Sequence, residues 1–154
     1  MANTQGMANS FKTELLAGYH NFSATNVART VNTVDVFKAA LFLTTATLSA
    51  ATTTYSTTGE ISAGTVNYTA GGITVTNATA PVLYGSTATW NPSANLVWTA
   101  LTAPTAFDTV LIYNSSQGNR AVSVHTFGAQ TVTAGNFSLT IPTAGAGTSL
   151  LNIA

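Results

Sequence analysis

The chain has 154 residues, of which 4 are Lys or Arg and 4 are Asp or Glu, so its net charge is zero and charged residues make up 5% of it. A typical globular domain carries about 25%. Four cations build neither a nucleic-acid interface nor an electrostatic membrane anchor, because both work by neutralising clustered anions. Hydrophobic residues at 45% and aromatics at 9% exclude general disorder and suffice for one domain with its own core.

Without cysteine there is no disulfide framework and no thiolate metal site. Threonine takes the place of charge: with Ala it supplies 55 of the 154 residues. Thr is β-branched and favours strands, so the composition points to sheets whose outer faces carry hydroxyls. Mixed charge is the usual safeguard against association. A near-neutral β-protein of this kind suits a place inside an assembly.

Along the chain, residues 1–9 are polar, with neither a basic start nor an apolar run. They read as a flexible arm and not as a secretory signal. Between 10 and 22 the apolar residues Phe11, Leu15, Tyr19 and Phe22 recur at helical spacing, which predicts a short amphipathic helix. Asn9 or Ser10 would cap it, and Gly18 would weaken or end it. Such a helix either packs over one end of the sheets or docks on a neighbouring subunit. Those four residues are the candidate interface residues.

After a polar link at 23–33, strands begin near 34. Residues 34–43 are apolar on both faces except at Asp35 and Lys38, as a central strand requires. Residues 48–64 read as a long loop. Short strands at 66–68 and 73–76 flank Ala70-Gly71-Gly72, a turn in which glycine takes positive φ. Trp90 and residues 96–101, 107–113, 121–127, 137–141 and 150–153 complete the set, separated by loops holding Pro92, Pro104, Gly118, Gly135 and Pro142. Residues 110–124 form the clearest unit, a hairpin whose polar loop contains Gly118. The expected fold is all-β: an antiparallel β-sandwich or jelly roll of about 7–9 strands with one short N-terminal helix, residues 10–154 forming a single domain. No stretch reaches the roughly 18 apolar residues of a membrane helix.

The ionisable groups are few enough to take one by one. The acids Glu14, Asp35, Glu60 and Asp108 are scattered over different elements, whereas glycoside chemistry needs two carboxylates facing one cleft. Hydroxyls abound without a nucleophile elbow. His125 alternates with Ser123 on one strand face and reads as structural, and His20 reads as a helix-end cap. No metal-ligand spacing and no phosphate loop are present, so neither cofactor nor metal is expected. Trp90, Trp98, Tyr113 and Phe127 read as core, with sugar stacking on one Trp as the alternative.

One resemblance spans most of the chain. Ser10-Phe-Lys-Thr-Glu-Leu-Leu-Ala-Gly-Tyr-His-Asn-Phe22 and Asp35-Val-Phe-Lys-Ala-Ala-Leu41 are followed in order by Ala46-Thr-Leu-Ser-Ala50, Thr53-Thr-Tyr55 and Thr58-Gly-Glu60. Tyr68-Thr-Ala-Gly-Gly72, Leu111-Ile-Tyr-Asn114 and Phe127-Gly128 come after. Together they resemble a family of small virion structural proteins of tailed bacteriophages, variously labelled head decoration, minor capsid or tail fibre protein. The resemblance implies a non-enzymatic virion component and brings no catalytic motif. With no long repetitive strands and no His-x-His pair, the favoured expectation is a capsid decoration (cement) protein bridging major capsid subunits. It would sit on the head surface, after residence in the host cytoplasm before assembly. Its partners would be the major capsid protein, further copies of itself, or both, with no nucleic acid or membrane. The alternative is a tail, collar or fibre component that binds a receptor or glycan, which predicts an exposed aromatic near 90–92 or 115–119.

Overall fold

In a computed structural model of the chain, the structure describes residues 3–16 (the side chains of 12–14 and 16 apart), 19, 20, 22, 34–61, 65–76 and 79–153. The core is built around β2, Phe37–Leu43, whose sequence Phe-Lys-Ala-Ala-Leu-Phe-Leu is buried on both faces except for half-buried Lys38 and Leu43. Two-sided burial selects a central strand. β2 lies between the long strand β6, Leu96–Asn114, and the two-residue β3, Ile73–Thr74. β6 pairs in turn with β7, Arg120–Leu139, and β7 with β1, Gly6–Met7. All pairs are antiparallel, in the order β1-β7-β6-β2-β3.

A second, three-stranded sheet has the order β4-β5-β8, from Val82–Tyr84, Thr87–Trp90 and Leu151–Ile153. It packs on the large sheet through Trp90, whose ring lies 5.5 Å from that of Phe37. The result is the antiparallel β-sandwich expected from the strand pattern, with no parallel pair among the described residues.

The turn before β3 forms as its glycines predict. Gly71 and Gly72 have φ of 89° and 72°. A Cβ on Gly72 would meet the Ala39 carbonyl oxygen at 1.8 Å, so no larger residue fits. The hairpin at 110–124 also forms, with Gly118 and Asn119 at φ 63° and 58°.

Several expectations are corrected. The helix α1 is Asn9–Leu16; Tyr19, His20 and Phe22 lie outside it, and Gly18 and the link at 23–33 lie outside the described residues. The expected breaks at Pro104 and Gly135 are not breaks, because β6 and β7 run through them as one long ribbon with several register shifts. Pro104 lies between the Ala103–Val132 and Phe107–Gln130 pairs, at a register shift of the ladder, where a residue without an N–H is tolerated. The strand expected at 66–68 is only an isolated bridge from Val66 to Thr102, the one expected at 73–76 is the two-residue β3, and a strand at 82–84 was not expected.

The arm at 1–9 is not free over its described part. Thr4 N–H donates to the Leu48 carbonyl (2.8 Å), β1 pairs with Ser123 and Val124, and Ala8 N–H donates to Val122 (3.1 Å). The Asn3 side chain donates to Asp108 (2.8 Å) and accepts from Leu48 N–H (2.9 Å). Residues 3–9 thus find hydrogen-bond partners both in β7 and in the segment at 48–50, which fixes a segment whose polarity alone suggested an arm.

Candidate functional site

The four residues expected to form a docking stripe are mostly interior. Phe11 is fully buried and Phe22 nearly so. The Phe11 ring meets His20 at 4.7 Å, and Phe22 stacks on Phe37 at 4.3 Å and meets Trp90 at 4.6 Å. Leu15 is half-buried against the same cluster. Only Tyr19 is exposed, with the Arg120 guanidinium 4.3 Å from its ring centre. Phe11 and Phe22 of the stripe therefore pack into the seam between the two sheets, while Leu15 is half-buried and Tyr19 exposed.

The ionisable groups gather into separate buried networks. Glu60 is interior; one oxygen accepts from the Tyr55 hydroxyl (2.6 Å), the other from the Tyr68 hydroxyl (2.7 Å) and Gly71 N–H (2.8 Å). The Tyr68 oxygen accepts from Leu41 N–H (3.0 Å), and the Tyr113 hydroxyl donates to the Gly71 carbonyl (2.8 Å). Tyr55 and Tyr113 stack at 4.5 Å. Burial, then the hydrogen bond and charge of Glu60, push the Tyr55 and Tyr68 phenols far above their ordinary range. Burial and the charge of Glu60 push Tyr113 up to about 12. All three phenols thus stay protonated and act as donors, and the Glu60 oxygens tie together Tyr55, Tyr68 and Gly71.

Asp35 is a second buried carboxylate. It accepts from the Asn114 amide (2.9 Å) and the Gln117 amide (3.2 Å), and Asn114 also lies 3.1 Å from His20 Nδ1. Asp108 accepts from Asn3 (2.8 Å) and from the Thr109 hydroxyl (2.7 Å). On β7 the Ser123 hydroxyl lies 2.8 Å from His125 Nε2. A Ser–His pair is the start of a nucleophilic site, but Ser123 is 2% exposed. Burial pushes His125 down to about 4, so it is neutral near pH 7. Among the described residues no three His, Asp or Glu side chains group to hold a metal ion. These arrangements do structural work, and nothing in the chain order announced the Glu60 network: its donors come from 55, 68 and 71.

Two long segments of the chain carry no charge. Residues 61–107 and 121–154 contain no Asp, Glu, Lys or Arg. These segments supply both long strands' outer ribbon and the whole small sheet. An apolar cleft of about 140 Å³ lies between α1 and the small sheet, lined by Leu15, Pro81, Ala88, Trp90 and Ile153 among others. A wider groove of about 600 Å³ runs past Thr79, Val82, Ser93, Asn95 and Pro142. Its rim is tied by Asn91, which donates to the Pro142 carbonyl (2.8 Å) and accepts from Leu150 N–H (2.6 Å). The exposed aromatic anticipated near 90–92 is not there, since Trp90 is 3% exposed and packs inward; the loop at 115–119 holds no aromatic residue.

Comparison with protein-family models, with curated proteins and with solved structures returns no match for the chain.

Proposed function

We propose that the chain is a non-enzymatic phage virion protein, and specifically a capsid decoration protein that binds and bridges major capsid subunits. The observation that carries this reading is the surface. Residues 61–107 and 121–154 are free of charged side chains yet expose Val66, Val82, Leu83, Val97 and Ile153. A freely diffusing protein is ordinarily kept apart from its neighbours by mixed charge. A subunit seated on a protein shell needs none, and an uncharged contact avoids the cost of desolvating ions. The resemblance of 10–22, 35–41 and the later segments to small virion proteins supports the same reading.

Quantitative mass spectrometry of purified particles of the encoding phage tests it. A copy number comparable with that of the major capsid protein is the expected result. A count near six or twelve per particle places the chain in the tail or collar instead. One observation favours that second reading, a receptor- or glycan-binding component: the Asn91-rimmed groove offers amides and hydroxyls without charge, which suits sugar hydroxyls. It predicts that the isolated protein binds host surface polysaccharide and that mutating Asn95 in the groove to Trp blocks the binding.

A further inference from the structure

Among the described residues, the small sheet has an edge strand that is exposed along its whole length. Strand β4 is its outermost strand, and all three of its residues are exposed and apolar: Val82 at 50%, Leu83 at 66% and Tyr84 at 38%. Leu83 is opposite Ala88, and Ala88 opposite Ile153. Residues opposite one another share a face, so Leu83, Ala88 and the 41%-exposed Ile153 make one apolar row across all three strands. The next row inward, Trp90 and Leu151, is buried against the large sheet.

Sheet edges carry unpaired N–H and C=O groups, and proteins blunt them with charge, bulges or shortness. The edge strands β1 and β3 are two residues long. The outer edge of β7 is broken by irregularities of the β6–β7 ribbon, including Ala134 at φ 48°. Edge β8 alternates, with Leu151 buried. Strand β4 is also short, at three residues, but it pairs with β5 in unbroken register, carries no charge and exposes all three of its side chains. Pro81, without an N–H, ends the ladder on one side and confines any pairing to a few residues.

We propose that β4 is a self-association edge, at which two copies of this chain pair antiparallel about a two-fold axis through Leu83. The occupant follows from the chemistry of the strand. Pairing β4 with itself about its middle residue sets Val82 opposite Tyr84 of the second copy, Tyr84 opposite its Val82, and Leu83 opposite Leu83. Aromatic with β-branched and aliphatic with aliphatic are favourable cross-strand pairs. No charged residue occurs anywhere in 61–107, so no ion is brought to the seam from β4, β5 or the turn between them. A charged strand would be desolvated there without a counter-ion. The joined sheets form one six-stranded sheet, and the Leu83–Ala88–Ile153 rows of the two copies become a continuous apolar face. A three-residue seam is small beside a standard interface of about 800 Å² per partner. The free dimer is therefore weak, with half-association in the range of roughly 0.01–1 mM. This inference stands apart from the virion reading and survives if that reading fails.

The natural absence of cysteine makes the test direct. Opposed Cα atoms in an antiparallel pair are about 4.5–5.5 Å apart, within disulfide reach. In the full chain, Leu83→Cys oxidised with diamide is expected to give a disulfide-linked dimer in at least tenfold higher yield than Thr131→Cys, an exposed site on β7. Sedimentation of the unmodified protein across the same concentrations should show reversible dimer, and Leu83→Asp, at a position open enough to leave the fold intact by circular dichroism, should remove it. A protein that stays monomeric up to millimolar concentration overturns the proposal. So do a dimer that persists in Leu83→Asp and equal cross-linking at both cysteine positions.

Discussion

His125 sits on β7 beside buried Ser123, and its low proton affinity has a thermodynamic consequence. The unfolded chain binds this proton near pH 6.5, whereas the folded chain binds it only near 4, because burial disfavours the imidazolium. Between those values the unfolded state holds more protons. Stability is therefore full above about pH 6.5 and falls as the pH drops toward 4, by up to about 3 kcal/mol for this group. Urea unfolding of the protein and of His125→Gln across pH 4–7 should show the difference between the two curves shrinking as acid is added. Parallel curves would refute the assignment. The alternation of His125 with Ser123 in the sequence anticipated that the two share a strand face, where they lie in hydrogen-bond reach. It did not disclose the role of Glu60, whose donors reach it from Tyr55, Tyr68 and Gly71. A carboxylate in a Thr-rich loop reads as solvated until the fold supplies the phenols.

The long β6–β7 ribbon is the element that local rules misjudge. Pro104 and Gly135 look like breaks, yet the strands continue and absorb the irregularity by shifting register. Two alanines carry the distortion: Ala100 and Ala134 have φ of 49° and 48°. The Asn136 side chain accepts from Ala100 N–H (3.0 Å), the Asn67 amide donates to the Ala100 carbonyl (2.9 Å), and the Thr102 hydroxyl accepts from Ala134 N–H (3.0 Å). The left-handed region costs an L-residue roughly 1–2 kcal/mol, which glycine escapes. Both alanines are exposed, so their methyl groups bury little that would be lost. Ala100→Gly and Ala134→Gly should each stabilise the protein by about 0.5–1 kcal/mol, read as a rise in the calorimetric Tm. A fall in Tm would mean that the methyl groups contribute more than their backbone strain costs. Helix α1 teaches the complementary lesson. Its apolar spacing was legible, but spacing is the same for a stripe that faces a partner and one that faces the protein's own core.

At the scale of the molecule, the N-terminal segment joins parts of the chain far apart in sequence: Asn3 to Leu48 and Asp108, Gly6–Met7 to β7, and Asn9 to Ala50. Deleting residues 1–8 should lower the stability by about 3 kcal/mol or more, since several hydrogen bonds of about 1 kcal/mol each are lost along with buried Ala8. A free arm would leave the urea midpoint where it was. What the sequence by itself determined is what depends on near neighbours and on composition. These are the all-β class, the two-sided burial of β2, the glycine turn before β3, the hairpin at 110–124 and a surface poor in charge. Only the tertiary structure decided which apolar stripe is interior, what holds Glu60 and Asp35, that the N-terminal segment is pinned, and that β4 is the exposed outer strand of the small sheet. Burial and hydrogen-bond partnership are set by residues distant in the chain, whereas propensity, periodicity and charge are written locally.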